Sequence, residues 1–137
     1  MTRGSQDVRV KNINKDLLEM SSLVEKQICE SLISLKNYDL EKAEQIIKDD
    51  DKVDEMQKVI EEECIKFIAT EQPLATDLRR VFTASKIVTD LERMADHAVD
   101  ICKITKRIGG DITSLKDDAK ELWEMELKVR EKSASNL

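Results

Sequence analysis

The residues in this chain whose types and spacing could do chemistry are acids. Asp50 and Asp54 stand four apart, as do Glu92 and Asp96, and Asp100 follows four later. On a helix such residues share one face, with Cβ atoms ~6 Å apart. Two like charges so placed destabilise the helix by roughly 0.2–0.5 kcal/mol unless something neutralises them. A divalent or trivalent cation would do so, and carboxylate oxygens suit hard ions such as magnesium, manganese, calcium or iron. The plain reading stands beside it. The chain has 29 acids, such pairs arise by chance, and Lys86 and Arg93 are near enough to screen them. Spacing alone leaves both readings open.

Register adds to the first reading. With Val81 at heptad position a, Glu92 falls at e and Asp96 at b. With Ile46, Val53, Ile60 and Phe67 at a on the preceding helix, Asp50 falls at e and Asp54 at b. Asp50 and Asp54 lie 22 and 18 residues before Gln72, and Glu92 and Asp96 lie 20 and 24 after it. In an antiparallel hairpin turning at Gln72 the two pairs therefore differ in height by only ~3 Å. Asp49 falls at d, where an apolar residue is expected, and polar intrusion into a seam tends to mark function or register. His97, the one histidine, falls at c and should point outward. Asp90 reads as solvated, and Asp77 with Arg80 as a local pair one turn apart.

Catalysis has little to stand on. There is no Gly-rich phosphate loop, and a single outward histidine builds no Ser-His-Asp or Cys-His arrangement. Metal-assisted hydrolysis of a phosphate ester by paired carboxylates is conceivable chemistry. Such sites usually add histidines and a concave pocket, which a plain helical bundle does not readily supply.

Four helices must position these acids. The first is read from about Asn12 to Lys36, on Ile13, Leu17, Met20, Val24, Ile28, Leu32 and Leu35 stepping by three and four. Residues 1–11 read as a loose polar arm. Asn37-Tyr38-Asp39 is a turn with Asp39 as N-cap of the second helix, which runs to about Ala69. Pro73 suits the first turn of a third helix reaching about Lys106. There Val81, Ala84, Val88, Leu91, Ala95, Ala98, Cys102 and Thr105 keep heptad a/d spacing. Ile87, Met94, Ile101 and Ile108 are expected to widen that stripe, as in a central helix closely packed on two sides. Gly109-Gly110 suits a left-handed C-cap. A fourth helix should begin near Thr113 and fray from Ser133. The expected fold is all-α: an antiparallel up-down three-helix bundle over residues 12–108, plus a C-terminal helix within residues 111–137.

Composition agrees. Charged residues make up 38% and aromatics 3% of the 137 residues, the balance of long helices. A net charge of −6 and scattered aromatics argue against a nucleic-acid partner. No stretch longer than five residues lacks Asp, Glu, Lys and Arg, whereas a spanning helix needs ~20 mostly apolar residues. Direct membrane insertion is not expected. Cys29, Cys64 and Cys102 form no CxxC motif and read as small core residues in a reducing cytosol.

The run E-Q-P-L-A-T-D-L-R-R, Glu71 to Arg80, followed by D-L-E-R-M-A-D-H-A, Asp90 to Ala98, closely resembles the PhoU family of bacterial phosphate-signalling proteins. The D-D-x-x-D element at Asp50 to Asp54, ahead of I-E-E-E-C, also looks like the family's second helix. The resemblance covers roughly Asn12 to Arg130. It implies three-helix repeats, normally two in tandem, and E/D-xxx-D motifs that bind iron, zinc, magnesium or manganese. Those motifs fall on Asp50 with Asp54 and Glu92 with Asp96, with Asp100 one turn on, where other members often carry asparagine. It further implies a non-enzymatic negative regulator linking a phosphate ABC transporter to a sensor histidine kinase, cytoplasmic and peripheral to the inner face of the membrane. By this measure the chain carries one repeat and the first helix of a second. The unfinished second bundle makes a homodimer the expected assembly. The alternative is a metal-free helical-bundle docking or dimerisation domain, for example the cytoplasmic domain of a sodium–phosphate cotransporter.

Overall fold

A computed structural model of the chain describes residues 3–108 and 113–135. It is all-α: α1 Arg3–Asn37, α2 Leu40–Glu71, α3 Ala75–Arg107 and α4 Thr113–Ser135. The fold class matches the sequence reading, and three long helices pack together with a fourth beside them. The Gly109-Gly110 cap lies outside the described residues.

The N-terminal arm is corrected. Residues expected to be loose form the first turns of α1, which begins at Arg3. The cause is tertiary. Gln6 Nε2 donates to the Glu71 carbonyl at 2.7 Å and Arg9 Nη1 to Glu71 Oε1 at 2.7 Å. Arg9 also donates to Thr70 Oγ1, its guanidinium lies over the Phe67 ring, and Val10 is buried. A polar stretch with one buried valine carries almost no periodic signal, so apolar spacing missed it.

The α1–α2 turn is built as expected, with one exception. The Asp39 amide donates to the Ser34 carbonyl and the Tyr38 amide to the Leu35 carbonyl, the two bonds of a Schellman motif. Asp39 Oδ1 then accepts the Lys42 amide at 3.0 Å, capping α2. The exception is Tyr38 at the left-handed position (φ 51°), where glycine is usual. Its hydroxyl donates to the Ile108 carbonyl at the end of α3, so a side chain that tethers the turn occupies a strained backbone site. At the α2–α3 turn Gln72 is also left-handed (φ 45°), ahead of Pro73, which disfavours the right-handed helical region for it. The Leu74 carbonyl accepts the first α3 bond, from the Leu78 amide, so α3 starts two residues after Pro73 rather than on it.

The chain divides into two compact units, through both of which α1, α2 and α3 run. The first comprises Met1–Glu25 and Asp51–Ala95. Its core is Val10, Ile13, Met20 and Val24 from α1, Val53, Ile60, Cys64 and Phe67 from α2, and Val81, Ala84, Val88, Leu91 and Ala95 from α3. The second comprises Lys26–Asp50 and Asp96–Leu137. There Ala43, Ile46 and Cys102 pack together with Ile47 against them, and Gln27, Ser31, Ser34 and Thr105 are buried as well.

Small side chains let the helices approach closely in this second unit, and local bonds satisfy the hydroxyls. Ser31 donates to the Ile28 carbonyl, Ser34 to the Ser31 carbonyl, and Thr105 to the Ile101 carbonyl. Burial pushes the Cys102 thiol up to about 11, opposed by its hydrogen bond with Ser34. Helix α4 lies along α1 in the antiparallel sense: Lys36 sits over the Trp123 ring, while Cys29 meets Glu126 and Arg130. Leu122, Met125 and Val129 on α4 stay exposed.

All eight a/d residues named on α3 are buried, from Val81 to Thr105. The widening of that stripe is corrected in part, because Ile87 and Met94 are 40% and 45% exposed. The third long helix turns those two positions to solvent.

Candidate metal centre

In the first unit Asp54 and Glu92 are each half-buried. In the second, Asp50 is half-buried and Asp96 and Asp100 are exposed. The e positions are thus the more enclosed on α3 and the b position the more open, as the heptad register requires. Helices α2 and α3 run without a break through these positions, so each i,i+4 pair keeps a common helix face.

Asp50 has a partner that the sequence reading missed. Gln27, 5% exposed, donates from Nε2 to Asp50 Oδ1 at 3.0 Å. An amide buried so deeply must bond to something, and here its partner is the Asp50 carboxylate. Counting on from Met20 and Val24 by the same three-four step reaches Gln27, so the signal was present but polar. Asp49 weakens as a marker: it is half-buried and accepts Gln45 Nε2 at 2.9 Å on its own helix. His97 and Asp90 are exposed, as expected. Asp77 and Arg80 do not form the expected local pair: Asp77 is buried, Arg80 is exposed, and no ion pair joins them among the described residues.

The donor chemistry of the five acids is all oxygen, with no thiolate or imidazole among them, which fits a hard cation. Among the described residues no three His, Cys, Asp or Glu side chains stand together as a ready metal cage. What the five acids offer is paired carboxylates on helix faces, suited to an ion that keeps much of its water.

No helix among the described residues is long and apolar enough to cross a membrane.

Comparison with known proteins places the fold. The model of the PhoU domain matches residues 17–105, more than half of the chain. A phosphate-specific transport system accessory protein PhoU homolog from Clostridium acetobutylicum is 47% identical over 131 residues, 95% of this chain and 59% of that relative. The phosphate-specific transport system accessory protein PhoU of Escherichia coli strain K12 is 34% identical over 100 residues, 73% of this chain and 42% of that protein. The chain therefore spans about half the length of the curated relatives it matches. Among solved structures, the crystal structure of PhoU from Pseudomonas aeruginosa superposes with a TM-score of 0.75 at 27% identity, covering 94% of this chain and 65% of that one. From Leu17 to Thr105, where the paired acids and the buried a/d stripe lie, this chain belongs to the PhoU domain family.

Proposed function

We propose that the chain is a non-enzymatic, negatively acting regulator of phosphate uptake and phosphate-starvation signalling. In this reading it is an adaptor between a phosphate ABC transporter subunit and a sensor histidine kinase, at the cytoplasmic face of the membrane. The observation that carries the reading is the 47% identity, across nearly the whole chain, to a phosphate-specific transport system accessory protein. The chain should work as a homodimer, which would cover exposed apolar residues such as Leu122, Met125 and Val129.

The metal enters as part of this proposal. Asp50 with Asp54 and Glu92 with Asp96 would hold a divalent or trivalent ion, with Asp100 an outer contributor. Iron, zinc, magnesium and manganese are the candidates, and the all-oxygen donors favour the harder ones. The ion would cancel the carboxylate repulsion and fix the charge of that surface for a partner. The competing reading is a metal-free docking or dimerisation domain. The bond from Gln27 to Asp50 favours it, because a buried amide already gives that carboxylate a structural role.

Two experiments separate these readings. Elemental analysis of protein purified without chelator should find metal that Asp96→Ala and Glu92→Ala remove; no metal in either protein leaves only the docking reading. Affinity isolation from host cells should recover a transporter subunit or a histidine kinase. Recovery of neither, under conditions that hold a control complex together, would count against the adaptor role.

A further inference from the structure

We infer that the groove between α1 and α3 in the first unit is a docking site for an acidic amphipathic helix of a partner protein. The groove encloses about 330 Å³. Its charged lining is Arg79 and Arg80 alone, with Asn14 and Thr83 as polar neighbours and Leu17 and Ile87 on its apolar side. Both arginines are exposed, and among the described residues no carboxylate forms an ion pair with either. On a chain of net charge −6, two unneutralised guanidinium groups beside an apolar strip form a local reversal of sign. Ile87 is 40% exposed, and Met94, two helical turns on along the same side of α3, is 45% exposed.

This combination selects the occupant by charge. An apolar strip at helical spacing accepts the i, i+3, i+7 side chains of a docked helix. Guanidinium groups at its edge bind carboxylates through paired N–H bonds and repel a basic segment. An acidic amphipathic helix meets both demands, and a basic one meets only the first. The groove lies on the opposite flank of α3 from Glu92, since positions 80, 83 and 87 fall on one side of the a/d seam and position 92 on the other. The surface deepens the adaptor reading by naming a contact face. It rests on that reading only for its biological purpose.

The test uses the whole chain and a fluorescein-labelled 14-residue helical peptide bearing leucine at i, i+3 and i+7 flanked by glutamates. A control peptide has lysine in place of every glutamate. Fluorescence anisotropy should show the glutamate peptide binding ~10-fold or more tightly than the lysine peptide. The Arg79→Glu/Arg80→Glu variant should lose that preference, and Arg79→Gln/Arg80→Gln should weaken it with the helical circular dichroism unchanged. Equal binding of the two peptides, or a glutamate preference that survives both variants, would overturn the inference. So would self-association by sedimentation that the charge reversal abolishes, since a second copy would then fill the groove. Peptide binding can fail while phosphate signalling still depends on the chain, so the two readings fail separately.

Discussion

Arg9→Ala is the perturbation that tests most sharply how the N-terminal turns of α1 are held. The Glu71 side chain is 3% exposed and that of Arg9 is 24% exposed. Glu71 Oε2 is buried without a hydrogen-bond partner, so among the described residues Arg9 is the one side-chain donor to this carboxylate. Removing one member of a buried ion pair costs about 3–5 kcal/mol, because the remaining charge is stranded. Water reaches the partly exposed Arg9 side of the pair and screens it, which lowers the cost below that range, to roughly 2–3 kcal/mol. The lost bond to Thr70 and the lost contact over Phe67 fall within that figure. Unfolding entropy of ~2.1 cal/mol/K per residue over 137 residues converts this to a fall in Tm of ~7–10 °C. Glu71→Gln removes the charge and keeps an acceptor, and should cost only ~1 kcal/mol. Thermal melts and urea titrations of the two single variants and the Arg9→Met/Glu71→Met double variant give the coupling energy, expected at ~1.5 kcal/mol or more. A Tm loss under ~2 °C for Arg9→Ala would refute the reasoning and return residues 3–10 to a loosely held arm.

Four further predictions follow from named contacts. Tyr38→Phe should cost ~1 kcal/mol by deleting the bond to the Ile108 carbonyl, whereas Tyr38→Gly should recover part of that loss by relieving the left-handed backbone. Urea melts in which Gly is far worse than Phe would show that the ring rather than the hydroxyl holds the turn. Ala95→Leu, at a position 0% exposed on α3, should destabilise by roughly 1–3 kcal/mol through overpacking, and an unchanged Tm would contradict tight packing around Ala95. Cys102 should resist alkylation at pH 8 in the folded protein, because burial raises its thiol to about 11 from 9.0. A raised thiol contributes stability fully below the unfolded value and loses it as pH rises through the folded one, so Cys102→Ser should flatten the alkaline limb of the stability profile between about pH 9 and 11. Labelling at the rate of a free thiol would show that the site is open.

How far the sequence carried the structure depends on how each residue is buried. On α3 the apolar and small residues recur at heptad spacing, and every a/d position named is buried. On α1 the apolar spacing passes through Ile28 and Leu35, which are only half-buried. The chain instead buries Gln27, Ser31 and Ser34, polar groups that local bonds and the Asp50 carboxylate make tolerable. Hydropathy cannot announce such positions, although their spacing from Met20 and Val24 can. The start of α1 was illegible for a related reason, since it rests on Gln6 and Arg9 reaching more than sixty residues ahead to the α2–α3 turn. Of the candidate site, register correctly separated half-buried Glu92 at e from exposed Asp96 at b. The buried amide behind Asp50 and the arginine groove between α1 and α3 both needed the packed helices to be seen.

Whether this chain restrains phosphate uptake signalling, as proposed, is measured most directly in the cells that carry it. The gene is deleted, and alkaline phosphatase output is followed in medium rich in phosphate, with the wild-type chain restored as control. The proposed role predicts high output in the deletion strain and repression on restoration. Output that stays low without the chain, in a strain where phosphate starvation still induces the enzyme, would contradict it.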